Sequence, residues 1–195
     1  MNKFIRIAYC WLAIISPAFA AEKLPKVLES FAPKIYQVEF FDEKDIIGDG
    51  NKEVIYIVKD SDENSETYGN RTFLIAKRNL DGYEVLAKSD KVILCATCGG
   101  PSGDPLEGIE FLKSGFVIRQ HGGGWDRWIT SYTFKYSKRD RTWQLVKAVD
   151  GYYSSDESKS SAFRPVTKTY TPPHDFGKIL INEFDPDDYL GKGEK

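Results

Sequence analysis

From residue 36 to residue 149, apolar and aromatic residues come in short runs rich in Val, Ile, Tyr, Phe and Thr, broken by polar stretches that carry Gly, Asn or Asp. Runs recurring about every 8–12 residues mark an all-β chain. The pattern predicts strands over 36–40, 54–59, 72–77, 83–87, 92–95, 109–112, 116–120, 128–136 and 143–149. The connections at 79–82, 113–115 and 138–141 are short and polar, so successive strands should pair antiparallel in a meander or sandwich-like arrangement. No βαβ alternation occurs, which excludes most nucleotide-binding α/β folds. Val54-Ile55-Tyr56-Ile57-Val58 is apolar at every position and should form a central strand covered on both faces. Trp128, Tyr132, Phe134 and Tyr136 share one face of their strand, and packing against a second sheet accounts for them better than a sugar-stacking platform.

Ahead of the strands, Leu24, Val27, Leu28 and Phe31 recur at helical spacing and stop before Pro33, which predicts one short amphipathic helix over 24–32. The polar stretches 60–70 and 154–161 read as mobile surface loops, and the chain from about 165 as a less regular tail. Residues 21–195 are thus expected to form a single β-rich domain.

The first 20 residues follow another logic. Lys3 and Arg6 precede an apolar run over 7–15, then Pro17 and Ala18-Phe19-Ala20 before Ala21. That is the layout of a secretory signal peptide: the apolar core is too short to span a bilayer, and small residues suit the peptidase pocket. Cys10 falls inside it, and Tyr9 stands where a lipobox needs a small residue. The mature protein is therefore expected to be periplasmic or secreted, with no transmembrane span. Across all 195 residues, 27 Lys and Arg nearly balance 29 Asp and Glu. No broad positive field exists to attract a nucleic acid backbone, so that class of partner is excluded.

In an oxidising compartment Cys95 and Cys98, in Cys95-Ala96-Thr97-Cys98, should form a disulfide. A thioredoxin-like role needs the first sulfur at a helix N-terminus, and Gly99-Gly100-Pro101 is turn chemistry, so the bond is expected to be structural. Asp45, Asp49, Asn51 and Glu53 surround a Gly turn at the spacing of a calcium loop, although Ile47 stands where a further oxygen ligand belongs; the competing reading is a plain turn. His121-Gly122-Gly123-Gly124 matches an esterase oxyanion segment, but no Gly-x-Ser-x-Gly elbow follows it. Asp104, His121, Trp125, Asp126, Arg127 and Trp128 remain as a candidate binding site, if loops 98–104 and 121–128 meet.

Taken together, Gly48-Asp49-Gly50-Asn51-Lys52-Glu53, Cys95-Ala96-Thr97-Cys98-Gly99-Gly100 with Gly103-Asp104-Pro105, and Gly123-Gly124 with Arg127-Trp128 resemble a group of uncharacterised bacterial exported proteins. In that group a loop similar to those of FG-GAP repeats precedes a hydrophobic strand. The resemblance covers most of residues 36–150; Ile47 departs from it, where the pattern prefers Asn. It implies exported β-structure and lends no activity. Two classes of function follow. One is a non-catalytic exported binding module with a protein or glycan partner, such as an inhibitor or immunity-type partner of another exported protein. The other is an enzyme, either a hydrolase using Asp104, His121 or Asp126 or a thiol oxidoreductase using Cys95 and Cys98.

Overall fold

A computed structural model describes residues 23–80, 82–154, 156, 158 and 164–190. The leader read at 1–20 and most of the loop 154–161 lie outside the described residues. Two antiparallel sheets carry the fold. The first comprises β1 (Tyr36–Lys44), β2 (Glu53–Asp60), β3 (Arg71–Asn79) and β4 (Gly82–Ser89), hydrogen-bonded in that order. The second comprises β5 (Leu106–Leu112), β6 (Gly115–Gly123), β7 (Asp126–Ser137), β8 (Thr142–Ser154) and β9 (Val166–Tyr170), also in chain order. Each strand pairs antiparallel with its sequence neighbour within its sheet, as the short polar connections require.

Strand β2 is covered on both faces. Ile55 and Ile57 share a core with Phe73 and Ile75 of the first sheet and with Phe116, Ile118, Tyr132, Phe134 and Trp143 of the second. Val54, Tyr56 and Val58 pack the opposite way, against Leu24, Leu28, Leu74 and Ala76. The continuous apolar run thus serves two cores, each buried side chain contributing about 1.5–3 kcal/mol. Tyr132 and Phe134 of the aromatic row are buried between the sheets, and Tyr136 packs at their margin. Trp143, fully buried, donates its indole N–H to the Ile46 carbonyl at 3.1 Å and so ties the Asp45 loop to the second sheet.

Three expectations change. The N-terminal helix is a short 3-10 helix, Lys26–Phe31, in which Leu28 is buried while Val27 and Phe31 are exposed. Pro25 and Pro33 bracket too few residues for stable α-helical turns. Residues 92–95 are not a strand. Val92 and Ile93 are buried as expected, but the Gln120 side chain does the pairing: its Oε1 accepts from Leu94 N–H at 2.7 Å, and its Nε2 donates to the Val92 carbonyl. Finally, the tail contributes β9 and core. Phe176, Ile179, Ile181, Phe184 and Tyr189 are buried in the inter-sheet cluster although none of them lies in a helix or strand. The loop 60–70 is closed on itself: Asp60, buried, accepts from the hydroxyls of Ser65 and Thr67 and from Asp62 N–H.

Candidate functional site

The turn between β6 and β7 is built on glycine for steric reasons. Gly123 has φ +94°, and a Cβ there would lie 2.3 Å from the Asp126 carbonyl oxygen. At Gly122 a Cβ would fall 2.3 Å from the Trp128 ring, so Trp128 lies across a surface that only glycine leaves open. The segment after the cysteines docks on this turn: Gly123 N–H donates to the Gly99 carbonyl at 2.9 Å, and the Ser102 hydroxyl donates to the Gly123 carbonyl at 2.6 Å. Loops 98–104 and 121–128 therefore do meet. Between them lies an open groove of about 340 Å³ lined by Pro101, Gly123, Gly124, Trp125 and Arg127. Trp125 is 74% exposed on its rim. The Nε–H of Arg127 is buried with no acceptor among the described residues. An unpaired buried donor costs about 1–3 kcal/mol, more when it is charged.

The six candidate residues do not all share this groove. Trp125 and Arg127 line it. Trp128 stands one residue along β7 and so faces the other side of the sheet, over Gly122. His121, paired with Ile129, shares the outer face with Arg127 but does not line the groove. Asp126 is exposed at the start of β7. Asp104 is committed elsewhere, to an ion pair with Arg71.

That ion pair belongs to a network that the sequence did not reveal. Arg71, whose side chain is 2% exposed, donates from Nε to Glu39 at 2.6 Å and from Nη1 to Asp104 at 2.8 Å and to the Leu94 carbonyl at 3.2 Å; its Nη2 also bonds Asp104. Glu39 reaches it from a bulge in β1, which leaves this residue without a strand partner, and pairs with Lys59 as well. The cluster joins the first sheet to the segment that carries Pro101 to the groove. Burial pushes the Asp104 carboxyl up, but hydrogen bonds from Arg71 and Leu106 N–H, with the Arg71 charge, outweigh it and leave its pKa below the ordinary value.

The Asp45 loop is arranged as a self-capped turn. Asp45 Oδ1 accepts from the N–H groups of Gly48 and Asp49 and Oδ2 from Gly50, while Glu53 Oε2 accepts from Ile46 and Ile47. Ile47 offers no oxygen side chain, and no group of three or more His, Cys, Asp or Glu among the described residues is placed to hold a metal ion. In this arrangement both carboxylate oxygens of Asp45 and Oε2 of Glu53 are taken up by backbone N–H groups. Glu53 is fully buried and its Oε1 has no partner among the described residues. Burial raises its pKa, two backbone N–H bonds oppose this, and the Asp49 and Asp45 charges add to the rise. Between the ordinary glutamate value of 4.5 and that raised value, the native state holds more protons than the unfolded state. Stability should therefore fall as pH rises through this window, and Glu53→Gln should abolish the fall. Urea midpoints between pH 4 and 7 check this, and calcium bound at Oε1 would show itself by flattening the wild-type profile.

Cys95 and Cys98 form a disulfide inside a turn closed by Cys98 N–H donating to the Cys95 carbonyl at 3.0 Å. A three-residue 3-10 helix follows at Gly100–Ser102, so no α-helix N-terminus faces either sulfur. Among the described residues no helix is long and apolar enough to cross a membrane. Compared with protein-family models, curated proteins and solved structures, the chain gives no match.

Proposed function

We propose that this protein is an exported, non-catalytic binding module that docks a partner protein through the groove between loops 98–104 and 123–127. The observation that carries this reading is Trp125, a large aromatic side chain 74% exposed beside an open groove. Folding gains nothing from leaving such a surface in water, whereas Trp and Arg together are the residue types that dominate binding energy at protein interfaces. The groove is held by backbone contacts to Gly123 and braced through Arg71, so it is formed before a partner arrives, which lowers the ordering cost of binding. The hydrolase alternative loses Asp104 to Arg71, and the oxidoreductase alternative lacks a helix dipole to activate Cys95. An inhibitor or immunity-type role toward another exported protein suits a site of this kind.

The test begins with capture from the periplasm and identification of the bound protein by mass spectrometry. Trp125→Ala should weaken the purified pair by about 1–4 kcal/mol in calorimetry. Its thermal melt should stay within about 0.5 kcal/mol of wild type, as for exposed positions generally. Unchanged affinity, or a variant that unfolds, would contradict the reading.

A further inference from the structure

The docking reading says where a partner sits; the groove's chemistry says what it must carry. We propose that the groove selects an acidic residue of the partner protein, Arg127 taking its carboxylate while Trp125 and Pro101 cover the apolar atoms beside it. This rests on the docking reading above.

Arg127 lines the open cavity, and its buried Nε–H has no acceptor among the described residues. A guanidinium also presents its two terminal nitrogens as a planar fork, and a carboxylate fills such a fork with two parallel, charge-assisted hydrogen bonds. A single acidic group matches the site. Among the described residues Arg127 is the only cation in the lining, and Asp126 is exposed next to it in sequence, so a doubly charged phosphate would meet too little positive charge there. A saccharide is disfavoured by the same inventory. Apart from Arg127 the described residues of the lining are Pro101, Gly123, Gly124 and Trp125, with no amide, carboxylate or hydroxyl side chain among them to satisfy the hydroxyls of a sugar ring. An aspartate or glutamate flanked by an apolar residue brings one charge and otherwise carbon, which is what the indole and the proline ring can cover. About 340 Å³ suits one such side chain and part of its neighbour.

The probes are a capped pentapeptide with one central glutamate between apolar residues, its glutamine counterpart, and tri-galacturonic acid. The readouts are the NMR resonances of the Arg127 Nε–H and the Trp125 indole N–H in the folded protein. The glutamate peptide should shift both, and the glutamine peptide should bind roughly tenfold more weakly. Arg127→Gln should erase that preference; Arg127→Lys, which keeps the charge without the fork, should restore only part of it. Equal binding of the two peptides, no shift with either, or shifts from tri-galacturonic acid alone would overturn the proposal. If a captured partner is lost on Trp125→Ala while none of these probes distinguishes a carboxylate, the docking reading stands and only the carboxylate assignment falls. If no partner depends on Trp125, the docking reading itself fails.

Discussion

Arg71→Met should destabilise the protein by about 3 kcal/mol, measured as a shift in the urea midpoint. The variant fills most of the volume but removes the cation that Glu39, Asp104 and the Leu94 carbonyl all share. Glu39 is then left half-buried beside Lys59 alone, and Leu94 loses a donor. Breaking a buried charge pair costs up to about 5 kcal/mol, and the lower figure applies here because Asp104 is half exposed and water can take over its lost bonds. A second signature accompanies the first. The Asp104 pKa lies below its unfolded value, so its contribution is present above the ordinary aspartate range and is lost as pH falls through the lowered value. Arg71→Met should remove that acid-side loss. A variant within 1 kcal/mol of wild type would show that the network does not brace the sheets.

Ile57→Asp should be more severe and abolish soluble expression. Ile57 is fully buried opposite Phe73 in the strand that both cores share. A carboxylate there has no partner, and either its ionised form is buried unpaired or the group stays protonated, at a cost on the order of 4 kcal/mol or more. Val54→Asp should fail similarly, on the opposite face and against Leu24 and Leu28. Soluble yield and far-ultraviolet circular dichroism decide it. Wild-type yield from both variants would mean that β2 is not central to the core.

These strands were legible because each carries its signal locally. Val54 to Val58 reads as doubly buried from five consecutive residues, and the row through Tyr132 and Phe134 reads as core from its alternation. What escaped depends on residues far apart in the chain. Val92 and Ile93 have the composition of a strand, but the Gln120 side chain bonds the Val92 carbonyl and the Leu94 N–H on either side of Ile93, and no local pattern reveals a side chain acting as a strand neighbour. Strand β9, Val-Thr-Lys-Thr-Tyr, is short and polar, and pairing with β8 rather than propensity holds it. The tail residues Phe176, Ile179, Ile181, Phe184 and Tyr189 enter the core from irregular backbone, where no period announces burial.

The site divides the same way. Gly123, Trp125 and Arg127 stood out because Gly-rich turns beside Trp and Arg are unusual enough to notice. Their sorting onto different faces of β7, with Trp128 turned away, follows from strand alternation once the strand limits are known. Arg71 could not have been found by spacing, since Glu39 and Asp104 lie 32 and 33 residues from it on opposite sides. The one available hint was Glu39 itself, a lone charge between Val38 and Phe40 in an apolar strand.

The claim that the groove around Trp125 is a docking surface is tested most directly by placing a photo-crosslinking amino acid at position 125 and illuminating the cells that make the protein. Leu80, fully exposed in the β3–β4 turn, serves as the control position. A discrete protein adduct should form from position 125 and none from position 80. No adduct at 125, or the same adducts from both positions, would contradict it.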